Sequence, residues 1–130
     1  MPRQARIVLP GYLHHVTQRG NYRQNVFCED MEKVQYLKYI DEYCKKYSVD
    51  IFAYCLMDNH VHFIVRPQTK TSMSRAFNIA HQRYAYYLHK RNKLHGHLWQ
   101  GRFYSCVLHG EHIGKAIKYV ERNPMRARMV

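Results

Sequence analysis

Two imidazoles two residues apart and one distant phenol are the groups in this 130-residue chain best suited to phosphoryl chemistry. His60 and His62 stand in Asn59-His60-Val61-His62-Phe63, and Tyr119 stands in Lys118-Tyr119-Val120-Glu121-Arg122-Asn123-Pro124. A neutral imidazole is a good ligand for a borderline divalent ion. A tyrosine oxygen becomes a nucleophile once its proton is drawn away. Together they are the minimum equipment for cutting a phosphodiester, but neither half is diagnostic. Among ten histidines, about one His-x-His pair is expected by chance. A second pair occurs at His95-Gly96-His97. Solvated histidines on a polar sheet face fit the first pair as well as ligands do. Tyr119 is one of 12 tyrosines and by itself reads as the edge of an amphipathic helix.

The elements that must position these groups follow from periodicity. Tyr12 to Gln18 reads as a first strand, ended by Arg19-Gly20-Asn21. Met31, Val34, Leu37, Ile40, Cys44 and Tyr47 mark a helix over 29–47. Asp50 to Met57 is a strand apolar on both faces, as a central strand should be. Asp58-Asn59 turns the chain, and His60 to Val65 forms the next strand, closed by Pro67. Strand alternation puts His60 and His62 on one face and Val61, Phe63 and Val65 on the other, where a helix can cover them. Thr71 to Arg91 is a second helix with a basic, tyrosine-rich outer face, and Phe103 to Leu108 a fourth strand. A last helix begins near Glu111 and yields by Asn123, because Pro124 disfavours helix at the residue before it. Its apolar stripe is Ile113, Ala116, Ile117 and Val120. Tyr119 and Asn123, four apart, share another stripe with His112. From there Tyr119 can reach the sheet, and the Asn123 amide oxygen can complete a metal shell with His60 and His62. The order strand, helix, strand, strand, helix, strand, plus one helix, predicts an α+β, ferredoxin-like split βαβ sandwich with an antiparallel sheet. One domain over 1–130 is expected, with 1–11 as a basic arm.

A formal charge of +12, from 21 Lys and Arg against 9 acids, points to a polyanionic partner, nucleic acid first. The hydrophobic fraction of 46% excludes a disordered chain. Cys28, Cys44, Cys55 and Cys106 lack Cys-x-x-Cys spacing and suit reduced, mostly buried thiols in a cytosolic protein; binding to DNA would make it nucleoid-associated. No apolar run is long enough to span a membrane, and no membrane partner or small-molecule substrate is expected.

Three stretches then fall into a pattern: Leu56-Met57-Asp58-Asn59-His60-Val61-His62-Phe63, Leu98-Trp99-Gln100-Gly101-Arg102-Phe103, and Tyr119-Val120-Glu121-Arg122-Asn123-Pro124. With Val16-Thr17-Gln18-Arg19-Gly20-Asn21, they make the chain resemble the REP-associated tyrosine transposases, a branch of the single-tyrosine HUH transposases. The resemblance spans nearly the whole chain. It implies a metal-dependent single-strand DNA endonuclease and strand transferase that acts beside hairpins through a 5′-phosphotyrosine. Tyr119, five residues before Pro124, takes the place of the nucleophile. His60 and His62 take the places of the metal ligands, and Asn123 stands where relatives carry a polar ligand, often Gln. The ion implied is Mg²⁺ or Mn²⁺, with Zn²⁺ as the alternative. The expected partner is single-stranded or hairpin DNA, bound by a monomer or homodimer.

For DNA contacts, Arg3 and Arg6 in the arm, Arg19 and Arg23 after the first strand, and Arg75 and Arg83 on the second helix can follow phosphates. Trp99 and Arg102, in a Gly-containing loop, can stack on unpaired bases. Trp99 fits a core position beside the last helix equally well. Two rival functions stand beside the nuclease: a domesticated hairpin-binding protein without catalysis, and a structural metal protein. The second is disfavoured because a structural zinc site is closed by four ligands, often cysteines with close spacing.

Overall fold

The chain runs through β1 (His14–Arg19), one 3-10 turn (Asn21–Arg23), α1 (Asp30–Lys46), β2 (Val49–Leu56) and β3 (His60–Pro67). It continues through α2 (Ser72–Asn92), β4 (Tyr104–Val107), α3 (Glu111–Arg122) and the two-residue β5 (Arg126–Ala127). The computed structural model describes residues 7–92, 96–122 and 126–127, with 119–122 and 126–127 described through their backbone. Every expected element is present, with ends shifted by one or two residues. The strands lie in the order β4-β1-β3-β2-β5, each pair antiparallel. This is the α+β, ferredoxin-like arrangement, with α3 added.

The two faces of the sheet have different fates. Val16, Val61, Phe63 and Val65 point into the main core under α1 and α2. Ala53, Cys55 and Ile64 point the other way and meet Ile113, Ala116 and Ile117 of α3. Alternation along β3 therefore puts His60 and His62 on the face that α3 covers. In β2 a register shift between Ile51 and Ala53 inserts an extra residue. Val49 and Ile51 thus face the main core, while Ala53 and Cys55 face α3. The bulge is why β2 reads as apolar on both sides, and it sets Cys55 directly opposite His62.

The β2–β3 hairpin closes through Met57 N–H to His60 O at 2.8 Å, and Asp58 O accepts from Val26 N–H at 2.7 Å. Gly20 is needed here because an added Cβ would collide with the Gln24 carbonyl oxygen. Its N–H reaches Asn59 O at 2.8 Å, and Gln100 N–H reaches Arg19 O at 2.9 Å. These bonds fasten loop 96–102 and the Asp58-Asn59 turn to the end of β1.

At the α1 N-terminus, Glu29 and Glu32 form a reciprocal capping box. The buried Glu32 carboxylate also accepts from Cys28 N–H at 2.7 Å and lies 3.5 Å from Arg91. Tyr36, Tyr84, His81 and Trp99 stack and tilt against one another between the helices. The Tyr36 hydroxyl and His81 Nε2 share a hydrogen bond of 2.7 Å. Burial pulls His81 from the usual 6.5 down to about 3, so folding requires the neutral ring. Its contribution to stability is complete above pH 6.5 and is lost progressively as pH falls from there towards 3. His81 should contribute about 1.4 kcal/mol per pH unit to the loss seen by urea unfolding through this window, beside the share of His62. His81→Asn should remove that share of the slope, and an unchanged slope would show that His81 does not titrate on unfolding.

Candidate active site

The histidine face is built from three neighbouring strands. Thr17 stands opposite His62, and Arg19 opposite His60. The rings of His60 and His62 are 4.9 Å apart and nearly perpendicular. His60 Nδ1 lies 2.7 Å from Asn59 Oδ1. An amide oxygen only accepts, so His60 donates from Nδ1. The amide orientation agrees, because Asn59 Nδ2 faces the Arg23 carbonyl at 3.5 Å.

A third histidine joins the pair. His15 Nε2 lies 3.1 Å from His62 Nδ1, and the two rings stack at 5.2 Å. Sequence reasoning passed over His15. Its neighbour His14 points to the opposite face and is a core residue, with Nδ1–H donating to Tyr12 O at 2.8 Å. The signal was alternation through His14-His15-Val16, but it needs the β1–β3 register to become useful. Burial lowers the pKa of His15 and His60, with Arg19 a second influence on His60. Burial foremost, then the charges of His15, His60 and Arg19, brings His62 down to about 4. All three rings are neutral at neutral pH, the form that offers a lone pair to a cation.

Among the described residues, no three His, Cys, Asp or Glu side chains are set to hold an ion. Any further ligand must come from elsewhere, and Asn123 lies outside the described residues. Tyr119 belongs to α3, the helix lying over the histidine face; its side chain is outside the described residues.

Residues 10–123 match the family model described as Transposase IS200 like. The chain belongs to that family. The IS200-like fold is also what solved structures match. One is the structure of a REP-associated tyrosine transposase bound to a REP hairpin. It superposes with a TM-score of 0.75 at 17% identity, covering 95% of this chain and 73% of the other. Another, described as a transposase of Deinococcus radiodurans R1, gives a TM-score of 0.57 at 15% identity, covering 93% and 97%. No curated protein matches.

The structure separates the residues expected to contact DNA. Arg19 and Arg102 are exposed and line one groove beside the histidine face. Arg23 is exposed on the 3-10 turn, its backbone carbonyl against Asn59. Arg75 and Arg83 are exposed on α2, the layer that covers the other face. The Arg83 guanidinium lies over the Tyr39 ring and donates to the Tyr43 hydroxyl at 2.7 Å. Arg3 and Arg6 are outside the described residues. Trp99 corrects an expectation. It is only 8% exposed, and its Nε1–H donates to His81 O at 3.0 Å. The indole packs against Tyr36, His81 and Tyr84 between α1 and α2 and leaves only a small part of its surface on the groove that Arg102 also lines. Among the described residues, no helix is long and apolar enough to cross a membrane.

Proposed function

We propose that this IS200-like transposase nicks and rejoins single-stranded DNA beside a hairpin. In this reading Tyr119 forms a 5′-phosphotyrosine, and His60, His62 and Asn123 hold a divalent ion. The observation that carries it is the pair of neutral imidazoles beneath the helix that bears Tyr119. Each has its Nδ1 engaged, by Asn59 in one case and His15 in the other. In this reading Nε2 of each ring is the ligating nitrogen, with Asn59 and His15 orienting the rings from behind. A donor set of two imidazoles and an amide oxygen suits Mn²⁺ or Mg²⁺, with Zn²⁺ the alternative. Hairpin DNA as substrate is supported by the REP hairpin bound to the relative and by the charge of +12.

The ion, when bound, supplies polarisation of a non-bridging phosphate oxygen and a fixed position for the scissile phosphate. Tyr119 Oη forms a bond to phosphorus as the bond from phosphorus to the 3′-oxygen breaks. The phenol gives up its proton, and the departing 3′-oxygen takes one to become a hydroxyl. The phosphotyrosine conserves the energy of the cut bond, so a second 3′-hydroxyl can reverse the step onto a new strand. Lys115, about one turn before Tyr119 on α3, favours the phenolate by its charge.

The test is a nicking assay on labelled hairpins with single-stranded flanks, with Mn²⁺ or Mg²⁺ supplied or chelated. Cleavage should need the ion and disappear in the double variant His60→Ala, His62→Ala. His15→Ala should weaken Mn²⁺ binding by about 10- to 100-fold, read by the resonance of the bound ion as well as by cleavage. Tight hairpin binding with no nicking in either ion would instead indicate a DNA-binding relative without catalysis.

A further inference from the structure

Across the histidine face, Tyr104, Thr17 and His62 form one row on three adjacent strands. Thr17 pairs with His62 on one side and with Tyr104 on the other. Directly paired residues on antiparallel strands point to the same face, so the Tyr104 ring stands on the face that holds the histidines. Two strand spacings put it about 10 Å from His62 along the row. Tyr104 is 68% exposed, on the edge strand, so packing does not account for an aromatic ring there. It borders a groove of about 400 Å³ whose other lining residues are Thr17, Gln18, Arg19, Gln100 and Arg102. A second groove, of about 510 Å³, shares Gln18 and Arg102 with the first and runs to Asn78, Gln82 and His89 on α2. The two grooves adjoin at Gln18 and Arg102, near the end of β1.

We infer that Tyr104 is the stacking platform for an unpaired base of the single strand flanking the scissile phosphate. Arg19 and Arg102 take the adjoining phosphates. The inference deepens the proposed nuclease reading and rests on it for the position of the scissile phosphate. The chemistry fits this occupant because an exposed phenol ring offers a π-face that any base can cover, and the flanking guanidiniums match a phosphate backbone. A blunt duplex presents no free base face and gains nothing from the ring. Tyr104 therefore favours the single-stranded part of the substrate over the paired part.

Binding in the absence of any divalent ion separates this inference from the nuclease reading, because no cleavage is required. The probes are a fluorescent oligothymidylate and a blunt hairpin of equal charge, titrated against the whole chain. Tyr104→Ala should weaken oligothymidylate binding by about 5- to 150-fold and leave the blunt hairpin within about twofold. Tyr104→Phe and Tyr104→Trp should restore single-strand binding, since stacking needs the ring and not the hydroxyl. Fluorescence of 2-aminopurine in the single strand should be quenched by the wild-type chain and by the Phe variant, and much less by the Ala variant. Unchanged oligothymidylate binding in Tyr104→Ala would overturn the inference. So would an equal loss on both probes, or a Phe variant as weak as Ala. Nicking lost in the His60 and His62 variant leaves these outcomes as they are.

Discussion

Tyr119→Phe is expected to abolish strand cleavage, by roughly a thousandfold or more, while hairpin affinity stays within about twofold. Phenylalanine keeps the ring and removes only the oxygen that would bond to phosphorus. A purely structural tyrosine would give a different result, because losing one hydroxyl at a helix edge costs little stability and no specific chemistry. The measurement is denaturing electrophoresis of end-labelled DNA. The wild-type chain should carry label as a covalent adduct in the presence of Mn²⁺, and the variant should carry none. The adduct should hold the 5′ end of the downstream fragment, leaving a 3′-hydroxyl that a polymerase can extend. Adduct formation by the Phe variant would sink the assignment of Tyr119. Because the phenol is ordinarily protonated below pH ~10, cleavage should also accelerate as pH rises through the neutral range.

Trp99→Ala should be the most destabilising single change proposed for this chain. The indole is almost wholly buried against Tyr36, His81 and Tyr84. Emptying such a site costs about 3–5 kcal/mol, a large part of the ~5–15 kcal/mol that holds a domain folded. The His81 carbonyl would also lose the donor at 3.0 Å, which adds the penalty of an unpaired buried acceptor. Urea unfolding at neutral pH measures the loss. Trp99→Phe separates a core role from a base-stacking role. It keeps part of the packing and should bind oligothymidylate within about twofold of wild type at a temperature where it is folded. Weak single-strand binding by a fully folded Trp99→Phe chain would return the indole to the DNA surface.

These predictions draw unequally on sequence and structure. The histidine face was readable from sequence because a strand has a period of two. Val61, Phe63 and Val65 had to seek the core, which committed His60 and His62 to the opposite side. The two long helices were readable from their apolar period, but the buried face of α1 was only partly so: Ile40 and Cys44 face the core as expected, while Met31 and Val34 are exposed and Glu32, Tyr36 and Tyr43 are buried instead. The β2 bulge was not, since a run of apolar residues looks the same with or without an inserted one. Trp99 was undecidable for a related reason: an indole in a short glycine-containing loop suits both a pocket and a ligand. The carbonyl of His81, 18 residues earlier in the chain, holds the indole in the core.

Sequence alone determined the element order, the antiparallel α+β class, the basic character of the surface and the residue types suited to a metal and a nucleophile. These depend on local periodicity and composition, which the chain carries at every position. Tertiary structure decided which distant groups meet. The β1–β3 register put His15 against His62, and the β1–β4 register put Tyr104 in the same row. Register is fixed by how whole strands bury their apolar faces together. No segment of fewer than two strands contains that information, and so the neighbours of the histidine pair had to await the fold.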